Sequence, residues 1–165
     1  MKPVANYWAA AIFSGFASSV DWRRWADREI EHSDRPDYWI IALSLASSED
    51  ELLKPLGEQM ENEERSLGHR IYIGNAKLGF MYWSFKLGKL SFADFLTVAG
   101  TEADGGTGDL ECESIYSILN RLEDRQKSGK QWDDLVCEAD RLFDPYWAEA
   151  KEQWKLLVIE EPRVV

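Results

Sequence analysis

Cysteine is scarce in this chain. Cys112 and Cys137 allow one disulfide at most and lack C-x-x-C spacing, so neither a disulfide framework nor a structural zinc cluster can be assembled from them. Free, buried or half-buried thiols in a reducing cytoplasm are the expectation. Basic residues are short as well: 19 Lys and Arg stand against 30 Asp and Glu, a formal charge of -11. That balance opposes a phosphate backbone and an anionic membrane, which excludes direct nucleic-acid binding and membrane docking from the readings worth pursuing. No uncharged apolar run reaches the ~18 residues of a membrane span, and the most hydrophobic stretch is interrupted by Arg70, Lys77 and Lys86. Lys2 followed by Val4 to Ala17 has the outline of a short signal peptide, but Pro3 and Asn6 break its apolar run. A cytoplasmic protein is expected.

Catalytic signatures are missing too. There is no nucleophile elbow, phosphate loop, dinucleotide fingerprint or zinc-protease helix, and Gly105-Gly106-Thr107-Gly108 lacks a following lysine. No cofactor is expected. Only two histidines are available. Glu29 and His32 share a helix face at i and i+3, and with His69 they are the residues from which a metal-dependent hydrolase would have to be built. The ordinary reading of such a pair is a surface charge contact. Residues 102–113 place acids at positions one, three and twelve of a calcium loop, but Gly106 stands at position five and Thr107 where the turn glycine belongs. No metal site is assigned.

Apolar side chains are plentiful: 45% of residues are hydrophobic and eight are Trp. A chain of 165 residues with that content sustains one core, so a single domain over 1–165 is expected. Sustained period-2 alternation is absent, and the apolar residues fall at helical spacing. The fold class is therefore all-α, a compact bundle of about eight helices.

The organising stretch runs from Leu67 to Asp104. Leu67, Ile71, Leu78, Met81 and Phe85 share one helical face and Ile73, Phe80, Trp83 and Leu87 an adjoining one, so a helix over 67–87 is predicted in the middle of the core. Gly88-Lys89 turns the chain, Ser91 caps a second helix, and the two pair as an antiparallel hairpin ending in the acidic loop at Asp104-Gly105-Gly106. Before this stretch, 7–16 reads as an apolar helix and 20–31, capped at Ser18 or Ser19, as a surface-lying amphipathic one. Residues 37–46 are apolar almost all round and should be buried. Ser48-Glu49-Asp50-Glu51 is a capping box whose helix Pro55 and Gly57 should shorten or kink, leaving 58–65 as an exposed connection or a solvated helical lead-in to the central helix. After the loop, Asp109 should cap a helix over 110–124. Residues 132–143 carry the cleanest stripe in the chain, and Asp144-Pro145 should start a last helix reaching Val158. Residues 160–165 read as a tail with no assigned element. Tyr38-Trp39 and Ser48 echo Tyr82-Trp83 and Ser91 at an offset of about 44 residues, in the range of HEAT-type hairpins; one echo does not make an array.

Charge placement is the feature that bears on function. Between Leu90 and Asn120 stand Asp94, Glu102, Asp104, Asp109, Glu111 and Glu113 with no Lys or Arg, so under a fifth of the chain holds six of its eleven net negative charges. Helix starts attract acids in any case. If these acids face one way, however, they speed encounter with a basic protein and help to hold it. Small size, acidity, tryptophan richness and the helical pattern, together with Gly79-Phe80-Met81-Tyr82-Trp83, Gly88-Lys89-Leu90 and Ala103-Asp104-Gly105-Gly106, resemble the immunity proteins of bacterial polymorphic toxin systems and an uncharacterised helical domain family thought to include them. The resemblance covers about a quarter of the chain. It implies a cytoplasmic inhibitor that presents acids to a basic toxin domain, with Trp22 or Trp132 as aromatic anchors. The competing readings are the hydrolase and a non-catalytic scaffold or homo-oligomer.

Overall fold

Runs of helically spaced apolar residues become eight α-helices in the computed structural model, which describes residues 1–158. In chain order they are α1 (Val4–Phe13), α2 (Ser19–Glu31), α3 (Tyr38–Leu45), α4 (Leu53–Leu67), α5 (Gly74–Lys86), α6 (Phe92–Gly105), α7 (Cys112–Lys127) and α8 (Asp133–Leu157), with one 3₁₀ turn, Asp50–Leu52, ahead of α4. No strand occurs among the described residues, and the 160–165 tail lies outside them. None of these helices is long and apolar enough to cross a membrane.

The apolar side chains gather into two clusters that share α5 and α8. The first is tryptophan-rich: Trp8, Trp25, Trp39, Trp83 and Trp154 pack with Phe16 and Phe80, the Trp8 and Trp25 rings 5.5 Å apart and Phe16 stacked on Trp83 at 4.9 Å. The second joins Tyr82, Phe92, Phe95 and Phe143 to the inner faces of α6 and α7, with Tyr82 stacked on Phe143 at 5.5 Å. The two faces of α5 divide as the sequence pattern has them. Phe80 and Trp83 enter the first cluster, with Ile73 and Leu87 against it, while Leu78 and Met81 enter the second, with Phe85 against it. Such a helix needs a close neighbour, and α8 is its most extensive partner. Gly79 makes the approach possible: a Cβ there would meet the Tyr146 carbonyl oxygen at 2.0 Å.

The structure moves several expected boundaries. The predicted 67–87 helix is two elements, because Gly68 adopts φ +75° and ends α4 in the left-handed conformation that glycine favours. Leu67 and Ile71 consequently stand outside the central helix. The helix expected to be short at Pro55 instead runs 15 residues: Pro55 lies in its first turn, where a missing N–H costs nothing, and 58–65 continue it. The Asp144-Pro145 start is also absent, since α8 runs 25 residues through Pro145. An interior proline costs about 3 kcal/mol, which is offset here by burial on both sides of it, Phe143 in one cluster and Trp154 in the other. α3 is not buried as a whole. Trp39 and Leu43 point inward, but Tyr38 and Leu45 are 73% and 72% exposed, because α3 packs chiefly on α2 at the edge of the bundle. Cys137 is exposed and Cys112 partly so; both are free thiols.

One buried acid escaped the sequence pattern. Glu63, on α4, accepts hydrogen bonds from the Ala5 N–H at 2.8 Å, the Asn6 N–H at 3.1 Å and Asn6 Nδ2 at 2.7 Å. It satisfies the orphan donors at the start of α1 and places a carboxylate at the positive end of that helix dipole. Pro3, the residue before α1, has no side chain able to cap it.

Two glycine substitutions test the α5–α8 contact. Gly79→Ala should destabilise the fold by about 1–3 kcal/mol through overpacking against α8 backbone. Gly57→Ala, in a helix with nothing within 4 Å of the added Cβ, should stabilise it by roughly 0.5–1 kcal/mol. Urea unfolding midpoints of the two variants check the opposite signs.

Candidate functional site

The acidic stretch lies at one end of the α6–α7 pair. α6 starts well: Ser91 Oγ accepts from the Asp94 N–H at 3.1 Å, and Asp94 itself sits in the first turn, where the dipole favours an acid. Ten residues on, about 15 Å along the helix, Asp104 marks the other end. Asp94 therefore stands apart from the remaining five acids.

Residues 106–111 are pinned, although they read as a glycine-rich loop. The Gly74 N–H donates to Thr107 Oγ1 at 3.1 Å, Asn75 Nδ2 donates to Asp109 Oδ2 at 2.8 Å, and the Asp109 N–H donates to Asn75 Oδ1 at 2.8 Å. The backbones touch so closely that a Cβ on Gly74 would lie 2.2 Å from the Gly108 nitrogen. This corrects the role expected of Asp109. It does not cap α7, whose flanking residue is Glu111 with no side-chain cap bond; it holds the loop to the first turn of α5.

The five acids then divide by environment. Glu102 is neutralised inside the fold, its Oε2 2.7 Å from Lys77 Nζ with both side chains less than a fifth exposed. Asp104, Asp109, Glu111 and Glu113 are exposed, and none has a lysine or arginine at ion-pair distance among the described residues. Asp109 also faces α8. Burial, and then the Asp109 charge, push the Glu149 carboxyl above its ordinary range, and burial, Asp109 and Glu149 do the same to the Tyr146 phenol. Cys112 lies among the acids, its Sγ 3.7 Å from Asp104 Oδ1 and 3.5 Å from Glu113 Oε2. Desolvation, followed by the hydrogen bond and charge of Glu113 and the charge of Asp104, holds this thiol above the usual cysteine range.

Neither expected aromatic anchor is freely presented. Trp22 is buried, 3% exposed, with its indole N–H donating to the Ala46 carbonyl at 3.3 Å. Trp132 is half-buried and stacks on Phe92 at 5.6 Å. The hydrolase residues do not assemble: His32 Nδ1 contacts the Arg28 carbonyl at 2.7 Å on α2, His69 Nδ1 contacts the Arg70 carbonyl at 3.2 Å beyond α4, and no three His, Cys, Asp or Glu side chains converge as a metal site among the described residues. Comparison with known proteins gives no matching family model, no matching curated protein and no matching solved structure.

The thiol reports on the local field. Iodoacetamide should modify exposed Cys137 faster than Cys112 near neutral pH, and the Cys112 rate should climb only as pH rises through its elevated pKa, since the thiolate is the nucleophile. Asp104→Asn with Glu113→Gln should accelerate Cys112 alone, as read by mass spectrometry of the labelled peptides.

Proposed function

We propose that this protein is a non-catalytic protein-binding module that engages a cationic protein surface through Asp104, Asp109, Glu111 and Glu113. The observation that carries the reading is that these four exposed carboxylates stand on the last turn of α6 (Asp104), the pinned loop (Asp109 and Glu111) and the first turn of α7 (Glu113) without lysine or arginine partners among the described residues. Exposed, uncompensated like charges on a rigid support raise the encounter rate with a basic partner and cost little ordering entropy on docking. Glu102, already paired with Lys77, contributes to the shape of the site more than to its field, and Asp94 is peripheral. The resemblance to toxin-system immunity proteins gives this module a concrete form: a cytoplasmic inhibitor that covers the active face of a basic toxin domain.

The test is binding to a basic toxin domain encoded beside this gene, measured at low and high salt. Asp104→Lys, Glu111→Lys and Glu113→Lys together spare Asp109, which the loop needs. They should slow association at least about tenfold and flatten the salt dependence. An unchanged association rate would remove these acids from the interface.

A second reading, self-association, is favoured by one observation. Tyr38 and Leu45 stand 73% and 72% exposed on α3 with Ile41 between them, an apolar face on an edge helix. Sedimentation equilibrium should then show a dimer that Leu45→Glu converts to monomer; a monomeric parent chain ends this reading.

A further inference from the structure

α3 carries no charged residue, and the strip it turns outward is apolar: Tyr38, Ile41 and Leu45 are exposed and Ala42 is half-buried. Spacings of three and four residues align these side chains along about 12 Å of helix. The charges lie at the two ends. Asp37 flanks the start of α3, exposed and with no side-chain cap bond, and the exposed Arg35 stands just before it. At the other end Arg23 reaches across from α2, its Nε donating to the Ala46 carbonyl at 2.8 Å and its Nη2 to the Leu45 carbonyl at 3.2 Å and Ser47 Oγ at 3.0 Å. Glu51 stands there too, accepting from the Ser47 N–H at 3.1 Å. None of Asp37, Arg35, Arg23 and Glu51 has an oppositely charged side chain at ion-pair distance among the described residues. Asp27, the other acid beside α3, is bonded to the Ser44 hydroxyl.

We propose that a second copy of this chain covers the strip, the two α3 helices lying antiparallel about a two-fold axis at Ile41 and Ala42, so that Tyr38 packs on the partner's Leu45. The proposal rests on the self-association reading and adds a pairing and a direction to it. A two-fold contact joins a patch to itself, so residue i meets j where j meets i. The strip allows this: positions 38 and 45, 41 and 42, and 37 and 46 are each equally far from its centre. Antiparallel docking therefore brings Asp37 to the partner's Ala46, the residue on which Arg23 is anchored, and Arg35 toward the end that carries Glu51. Opposite charges meet at both ends. Parallel docking, which a two-fold axis also permits, would set Asp37 against Asp37 and Arg23 against Arg23, and would align the two helix dipoles. A basic partner of the kind suited to the acidic face would place its charges beside Arg23 and Arg35. Apolar burial holds the contact, and charge sets its direction.

Cross-linking reads that direction. In a Cys112→Ser, Cys137→Ser background, Tyr38→Cys and Leu45→Cys chains, mixed and oxidised, should join to each other in a disulfide-linked dimer identified by mass, because side chains facing across the contact come within disulfide reach. Tyr38→Cys alone should give little. Asp37→Asn should raise the dimer dissociation constant about threefold in sedimentation equilibrium, a modest factor because exposed ion pairs are individually weak, and added salt should move the parent chain the same way. Far-UV circular dichroism reports that each variant is folded. Cross-linking of Tyr38→Cys with itself in place of the mixed pair, no cross-link in either, or a tighter dimer from Asp37→Asn overturns the proposal. If the parent dimer is then still broken by Leu45→Glu, self-association through α3 stands without this pairing; a monomeric parent chain ends both. Charge reversal at Asp104, Glu111 and Glu113 should leave the cross-link unchanged, so failure of the acidic-face reading is a separate result.

Discussion

The burial of α5 from two sides is the constraint on which the rest of the structure depends. A helix with Phe80 and Trp83 on one face and Leu78 and Met81 on another cannot rest on a single partner. Stability requires apolar cover all round, at roughly 25 cal/mol for each Å² removed from water. The chain meets this requirement with one tryptophan-rich cluster from α1 to α4, a phenylalanine-rich one from α6 and α7, and a long α8 that closes both. Gly79 sets the depth of that closure, and Pro145 is tolerated because α8 is gripped on either side of it.

The same helix also sets up the surface of functional interest. The start of α5 touches the acidic loop at Gly74 and Asn75, which makes Asp109 a structural anion as well as part of an electrostatic surface. The connection leading into α5 forms one wall of a groove that Glu149 also lines. Glu63 plays a parallel part at the start of α1: it accepts from the Ala5 and Asn6 N–H groups and from Asn6 Nδ2. In both places a buried or pinned polar contact holds a helix start in position.

Much of the fold was legible in the residues. The two faces of α5, the Gly88 turn and the Ser91 cap follow from spacing and local chemistry, and each is where the pattern put it. The failures were at Gly68 and Pro145. The apolar phase of 67–87 runs through Gly68, so periodicity saw one helix where left-handed backbone makes two. At Pro145 the opposite holds: Phe143, Trp147, Ala150, Trp154 and Leu157 keep an unbroken helical phase, and that continuity outweighs the local Asp144-Pro145 start signal. α3 showed that apolar composition does not place a helix. It is apolar enough for a core, but it lies at an edge. Of the candidate site, the acids were visible, but their division was not: the Lys77–Glu102 pair is 25 residues apart in sequence and the Asn75–Asp109 pair 34. The exclusion of Trp22 as an anchor was equally invisible.

By itself, the sequence determined an all-helical chain, the two-faced character of its central helix and an excess of negative charge concentrated in one segment, because those properties reside in side-chain type and short-range spacing. The tertiary structure decided which carboxylates remain unpaired, that Glu63 is buried against the start of α1 and that Glu102 is paired with Lys77. Pairing and desolvation depend on which residues meet across tens of positions, and helical periodicity carries no information about that.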